Sequence, residues 1–524
     1  MSKKLHVMAE AVRAAYRSGE EDEQLLPRVM VDEQGRAAGR IGDGDPVIFY
    51  DLRGEREVEL TRAFVERDFP HFATRGRTAR FSTMIEYHST LPVQVAFPPE
   101  LELKGTLVEA LERAGKKTVK IVESEKAIHL AYFLNGKREA PFDGEERIIV
   151  PSPREVKNHN EKPEMASSEV ADRVIEQLKS GAADLVIVNF ANVDVLAHIE
   201  DEPAVVRAVE AVDTALGRVL AAARAEGVPA LVTADHGSAE KWLYPDGSVD
   251  TGHTDSPVPL VLADERMKGA KLRADGSLID VAPTALELLG VPVPAEMEGR
   301  SLLEDRAFAG SARRLLMVIL DGWGDREEAL GNLIRKAATP VMDSLRGSYP
   351  FTTILAASEA VGMPPGQVGN SEAGHLHLGA GRRILSDRMR VDRAIADGSF
   401  KGIPAFLEPM ELARREGRPL HLLGIVSFYS SHGAVQHLYA LLELARERGV
   451  PLVYHHALLG RRGERPEAGA RYIDDVERFC EELGLGRVVT VMGRFWALDR
   501  EDNWDRVERA YRALADGEGV AVRG

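Results

Sequence analysis

Three short apolar runs each deliver an aspartate from their C-terminal end, and this restricts the fold more than any other feature of the chain. Asp184-Leu-Val-Ile-Val-Asn189 leads to Asp194, Pro229-Ala-Leu-Val-Thr233 to Asp235, and Leu315-Leu-Met-Val-Ile-Leu320 directly to Asp321. Runs this short and apolar read as buried strands, and helical stretches alternate with them over Ser167–Ser180, Ala204–Glu226 and Ile279–Leu289. That alternation predicts parallel sheets in α/β layers. Ligand sites in such sheets gather beyond the carboxyl ends of the strands. Three carboxylates collected there would repel one another unless cations lay between them.

Two of the aspartates come with a histidine at ligand spacing. His198 follows Asp194 by four residues, on the same helical face, and His236 directly follows Asp235. A lone histidine of this kind is more often a satisfied core or surface residue, but the set together favours metal. Mixed carboxylate and imidazole ligands suit Mn²⁺ or Zn²⁺ better than Ca²⁺. His253, in Gly252-His-Thr254, and Ser371 bring the candidate ligands to seven, enough for two ions. Ser371 stands between Gly369 and Gly374 in a loop that runs toward a helix start. Small neighbours admit a bulky substrate there, and unpaired N–H groups at a helix N-terminus favour negative charge. On its own the string reads as an N-cap serine. Beside a pair of metals it reads as a hydroxyl that can be deprotonated to attack a phosphoryl group.

Composition narrows the partners. A net charge of −16 over 524 residues argues against a nucleic-acid surface, while leaving room for a local basic pocket. The single cysteine, Cys480, excludes an internal disulfide and fits a reducing compartment. The Met1–Tyr16 stretch is charged throughout, and no apolar run is long enough to span a bilayer. The expectation is a soluble, cytoplasmic monomer without membrane or nucleic-acid partners. Arg53 and Arg56, three apart after the apolar Val47–Tyr50 run, are placed to grip a phosphate or carboxylate from one face of a following helix. Lys126, just after the strand Thr118–Val122, alone reads as a surface lysine. The polar, proline-punctuated stretch from Pro151 to Pro163 suggests a hinge or boundary, as does Arg393–Gly398.

The blocks Asp321-Gly-Trp-Gly324, Gly369-Asn-Ser-Glu-Ala-Gly-His375, Asn189-Phe-Ala-Asn-Val-Asp194 with His198, Thr233-Ala-Asp-His-Gly237 and Gly252-His-Thr254 resemble signatures of a known family. That family is the cofactor-independent (2,3-bisphosphoglycerate-independent) phosphoglycerate mutases, members of the alkaline-phosphatase-like metalloenzymes. The resemblance implies two α/β domains, an alkaline-phosphatase-like metal domain over 151–393 and a smaller transferase-like domain made of 1–150 and 394–524. It implies two Mn²⁺ ions, with Zn²⁺, Co²⁺ or Mg²⁺ as alternatives. Asp194, His198 and His253 would hold one, and Asp235, His236, Asp321 and Ser371 the other. Ser371 would carry the phosphoryl group of a small phosphorylated acid between the 2- and 3-positions of glycerate, with Lys126 bridging to it. Arg53, Arg56, Arg462, Arg494 and Arg500 match substrate-binding arginines, and His432 a substrate-binding histidine.

Two departures from the family pattern stand out. The Asp-Gly-Trp-Gly strand opens the family's sequence but falls near residue 314 here, so the order resembles a circular permutation restored by joining Gly524 to Met1. In addition, Phe428 and Gly463 stand where the family has aspartates, and the latter is a proton handler for the sugar acid. The metal set is intact while the acid pocket is altered. This leaves open a phosphatase or phosphotransferase acting on another small phosphorylated or phosphonylated acid. Arginines and serine in different segments also imply hinge motion, expected near Ser152 and Ala394.

Overall fold

The structure, a computed structural model, describes residues 6–153, 155–156, 158–244, 246–427, 432–460 and 468–523. Its strands run, in chain order, β1 (Arg28–Val31), β2 (Pro46–Phe49), β3 (Arg80–Ile85) and β4 (Gln94–Phe97). There follow β5 (Thr118–Glu123), β6 (Glu145–Val150), β7 (Leu185–Phe190), β8 (Ala230–Thr233), β9 (Val258–Ala263), β10 (Leu315–Leu320) and β11 (Phe351–Ile354). The last four are β12 (Leu420–Ile425), β13 (Val453–Leu459), β14 (Arg487–Gly493) and β15 (Val520–Arg523). Helices alternate with them, so the protein is α/β, as the periodicity requires.

The chain forms two units, Met1–Pro99 with Asp387–Gly524, and Glu100–Ser386. The first holds an eight-stranded sheet of order β15-β1-β14-β13-β12-β2-β3-β4. Only the β1–β14 pair is antiparallel. The second holds a seven-stranded sheet of order β11-β9-β8-β10-β7-β5-β6, parallel from β8 through β6. Its central strands β7, β8 and β10 are buried at every position. Such strands need helices on both faces to exclude water. The helices Ser167–Ser180 and Glu202–Ala225 supply part of that cover through Val170, Val174, Leu178, Val205, Val209 and Val212. Asp201 caps the second helix by accepting from the Ala204 amide.

The domain boundaries differ from those expected. β5 and β6 belong to the seven-stranded sheet, with Thr118 to Val122 in register with Leu185 to Asn189. The first boundary therefore falls at Pro99, not at residue 150. The polar stretch from Pro151 to Pro163 lies inside the second unit, with Pro151 exposed and Pro163 buried, so its prolines do not mark a change of domain. The helix Asp387–Asp397 begins the return to the first unit and buries Val391 and Ala394 in its core. The chain crosses between units at 99–100 and 386–387, so Ser152 and Ala394 each lie inside one. Among the described residues no helix is long and apolar enough to cross a membrane. Cys480 is buried, and burial pushes its thiol up to about 12.

Candidate metal centre

Four neighbouring parallel strands of the second unit, in the order β8-β10-β7-β5, point their C-terminal ends the same way. The residues just beyond those ends therefore converge. Asp235 follows β8 by two residues, Asp321 follows β10 directly, Asp194 lies in the helix Asn192–Ala197 after β7, and Lys126 closes the single turn Ser124–Lys126 after β5. Lys126, read from sequence alone as a surface residue, is buried. Its Nζ donates to Asp194 Oδ2 at 2.6 Å, to Asp321 Oδ1 at 2.8 Å and to Ser371 Oγ at 2.6 Å.

Ser371 is the first residue of the helix Ser371–Ala380; the N-cap is Asn370, whose side chain accepts from the Ala373 amide. Ser371 Oγ lies 2.9 Å from His236 Nε2 and donates to Asp321 Oδ1 at 3.3 Å. Two glycines permit this closeness. A Cβ at Gly374 would stand 2.6 Å from the Asp235 carbonyl oxygen, and one at Gly322 would stand 2.8 Å from the Asp194 backbone. Gly322 also takes φ +78°, which disfavours a side chain.

His198 Nε2 and His253 Nε2 lie 3.4 and 3.2 Å from Asp194 Oδ1 and 3.2 Å from each other. Asp194, His198 and His253 thus present three donor atoms to one point, and Asp194, His236 and Asp321 do so at a second. A third grouping, Asp235 with Asp321 and His375, brings in a residue to which the sequence reading gave no role. His375 Nδ1 lies 3.2 Å from Asp235 Oδ2, and Asn189 Nδ2 donates to Asp321 Oδ2 at 2.8 Å while lying 3.0 Å from His375 Nε2. The spacing of Ser371 and His375, four apart in one helix, carried the same signal as Asp194 and His198. Ser238 donates to Asp194, and Glu240, bonded to the Thr254 hydroxyl and the Ser238 amide, holds the loop after β8 in place.

The electrostatics of this cluster suit cations. Burial pushes the Asp194 carboxyl up, but His198, His253 and Lys126 outweigh it and hold it well below the ordinary range. Asp321 is likewise held low by Lys126 and His236 against its burial. Burial opposes charge on His236, yet the neighbouring Asp235, Asp321 and Asp194 hold its imidazole up at about 10. Asp235 Oδ2 is buried without a hydrogen-bond partner among the described residues. A buried oxygen of that kind calls for a partner, and a divalent ion is one. The residues present therefore fit a divalent metal.

The remaining candidates lie in the first unit. Arg53 and Arg56 sit in the loop before the helix Val58–Val65, not on its face. Arg56 is pulled below its ordinary pKa by burial and then by Arg500, Arg494 and Arg53, so the four form one positive patch. Arg56 donates to the Leu498 carbonyl, Arg494 to Glu23, and Arg500 to Glu55. His432 is buried beside them, its Nδ1 2.9 Å from Glu57 Oε1. Arg462, Phe428 and Gly463 lie outside the described residues.

Fold and site together define a divalent-metal α/β domain joined to a second α/β unit that carries arginines. Residues 53–293 match the family model of the Metalloenzyme superfamily, and residues 1–89 with 391–523 match that of the BPG-independent PGAM N-terminus (iPGM_N). Among individual proteins, the chain is similar to the 2,3-bisphosphoglycerate-independent phosphoglycerate mutase of Moorella thermoacetica, with 43% identity over 297 residues. That match covers 56% of this chain and 57% of the relative. The enzyme of the same name from Syntrophotalea carbinolica is 43% identical over 300 residues, with the same shares. The matched part thus spans little more than half the length of these relatives. A crystal structure of Leishmania mexicana phosphoglycerate mutase at low cobalt concentration is 34% identical over 52% of this chain and 53% of that one, with a TM-score of 0.38.

Proposed function

We propose that the protein is a phosphoglycerate mutase that interconverts 2- and 3-phosphoglycerate through a phosphoserine at Ser371. The observation that carries this reading is the setting of Ser371 Oγ, held at a helix start by Lys126 Nζ at 2.6 Å and His236 Nε2 at 2.9 Å. Two divalent ions, best Mn²⁺, would be held by Asp194, His198 and His253, and by Asp235, His236, Asp321 and Ser371. Bound there, they would supply Lewis-acid activation of a hydroxyl and neutralisation of phosphoryl charge.

The chain's own residues do the rest. Ser371 Oγ attacks phosphorus as the bond to the acid's oxygen breaks, the serine's proton ends on that released oxygen, and the helix N-terminus faces the oxyanion charge. Lys126 Nζ donates toward the transferred group as that charge grows. Return of the group to the other hydroxyl reverses these steps. Arg53, Arg56, Arg494 and Arg500, with Arg462, hold the carboxylate and phosphate of the acid, and His432 takes part in its binding. An enolase-coupled assay with 3-phosphoglycerate and Mn²⁺-loaded protein tests this; a folded, metal-loaded protein that forms no 2-phosphoglycerate rejects it.

The replacements at Phe428 and Gly463 favour a second reading, a metal-dependent phosphatase or phosphotransferase for another small phosphorylated or phosphonylated acid. Release of inorganic phosphate without isomer formation distinguishes it. A cytoplasmic, monomeric enzyme is the setting that suits either activity.

The order of elements is proposed to be permuted relative to the mutases. β1 and β15 are parallel neighbours, and the helix Val7–Arg17 packs on both, which is the arrangement of a strand–helix–strand crossover read from β15 to β1. The match to iPGM_N in two separate segments also supports it. A chain opened before Arg314, with Gly524 joined to Met1, should fold and turn over as this one does; an unfolded product opposes the reading.

A further inference from the structure

We propose that Asp51, Glu57 and His432 form a proton relay serving the arginine patch of the first unit, with Glu57 as the residue that positions His432. The inference rests on the reading of that patch as the subsite for an anionic acid.

The three side chains are fixed from different elements. Asp51 lies just beyond β2, where the Tyr87 hydroxyl donates to the carbonyls of Phe49 and Asp51 at 3.0 Å each, and Asp51 Oδ1 accepts from the Ile425 amide of β12 at 2.7 Å. Glu57 precedes the helix Val58–Val65, its Oε2 accepting from the Arg56 amide at 3.1 Å and its Oε1 lying 2.9 Å from His432 Nδ1. The Leu52 amide donates to the His432 carbonyl, which ties that histidine to the Asp51 loop. One donor atom from each of the three lies within 4.8 Å of the others, and all three are buried. Asp51 Oδ2 is buried with no hydrogen-bond partner among the described residues.

Such a trio resembles a metal site, but its surroundings argue for protons. Arg53, Arg56 and Arg494 act on it and Arg500 acts on Arg56, tempered by Glu55 and Glu23, which pair with Arg500 and Arg494; Tyr87 and Tyr50 are further titratable neighbours. A divalent cation would meet the repulsion these arginines already exert on one another. Two buried carboxyls this close cannot both ionise cheaply, so they share a proton. Burial pushes Glu57 up to about 8 and Asp51 well above its ordinary value, while burial, against the pull of Asp51, pushes His432 down to about 4. Glu57 with a proton on Oε1 donates to Nδ1, which leaves the imidazole proton on Nε2.

The transfer balances. When an oxygen of the bound acid gains negative charge, the His432 Nε2–H bond breaks and an O–H bond forms. The Glu57 Oε1–H bond breaks as Nδ1–H forms, and the carboxyl pair is left with one proton fewer. The reverse shift restores it, with no outside acid consumed.

The test uses the full chain with 3-phosphoglycerate, titrated calorimetrically at about pH 8 in two buffers of different ionisation enthalpy. Added negative charge raises the relay's hold on protons, so the wild type should take up roughly half a proton or more per ligand. Glu57→Gln and Asp51→Asn should each take up less than half as much. Uptake equal to wild type in both variants overturns the relay. Nitrogen-15 NMR of His432 in the ligand-free wild type gives a separate reading: a ring protonated at Nε2 supports the relay, and one protonated at Nδ1 overturns it. Absence of 3-phosphoglycerate binding would instead reject the acid-subsite reading, with the His432 tautomer still deciding the geometry.

Discussion

The two units gather the same kinds of side chain and set them to opposite uses. In the second, Asp194, Asp235 and Asp321 meet Lys126 and histidines; His198, His253 and Lys126 hold Asp194 low, and Lys126 with His236 holds Asp321 low. In the first, Asp51 and Glu57 meet one histidine, and burial pushes both carboxyls above their ordinary values although arginines lie near. The difference is one of contact. Lys126 bonds directly to its carboxylates at 2.6 and 2.8 Å, whereas among the described residues the guanidinium groups of Arg500 and Arg494 pair with Glu55 and Glu23 and that of Arg56 with the Leu498 carbonyl, none of them with the side chain of Asp51 or Glu57. Direct charge pairing makes a nest for metal, and unpaired burial makes a store for protons.

The largest test of that contrast removes the hydroxyl. Ser371→Ala should lower phosphoryl transfer on the order of 10⁴-fold or more, read in the coupled assay with folding checked by circular dichroism. Activity near wild type would mean that the second unit's cluster does no chemistry. Lys126→Met should cost about 10²–10³-fold in kcat, the usual price of one preorganised donor, with metal content measured alongside. If it strips the metal as well, Lys126 organises the cluster and does not merely donate to the substrate.

Chelation sharpens the comparison further. It should abolish turnover and leave Glu57-dependent proton uptake in place, and metal analysis of the reloaded chain should give two ions. In the first unit, Arg56→Ala should raise KM by roughly 10–100-fold with kcat little changed, since a hydrogen bond to a charged group contributes about 1.5–3 kcal/mol.

The smallest effect concerns stability. The ordinary carboxyl value for Glu57 is 4.5 and the folded protein holds it at about 8, so the native state binds its proton more tightly. Stability from this group is present below 4.5 and is lost as pH rises toward 8, by at most about 1.4 kcal/mol per pH unit. Glu57→Gln removes that loss. Its urea midpoint should match wild type near pH 4 and exceed it increasingly up to about pH 8. A constant offset would show that Glu57 holds its proton no more tightly in the folded state than in the unfolded one.

Much of the metal cluster was legible in the chain because strand ends are legible. Asp194, Asp235 and Asp321 follow apolar runs, and His198 and His236 sit at short spacings from two of them. Lys126 resisted the same reasoning, since its burial depends on β5 lying beside β7, where Thr118 pairs with Leu185 far along the chain. Asp51 and Glu57 were overlooked for another reason: Asp51-Leu-Arg-Gly-Glu-Arg-Glu57 alternates charges in the manner of a solvated loop. Only the hydrogen bonds from Tyr87 and Ile425 and the His432 contact reveal it as interior. The boundary at 99 leaves no mark in the sequence, because the strand Thr118–Val122 reads alike in either unit and only its pairing with β7 assigns it to the second.

Asp321 leaves from β10, the fourth of seven strands, whose Met317 lies in register with Ile187 on one side and Leu231 on the other. Solvent deuterium reaches amides so shielded only when the surrounding sheet opens as a whole. The labelling rate of this strand is therefore a clock for the lifetime of the cage, and a metal-loading step that slowed it would measure directly how far cation and scaffold sustain each other.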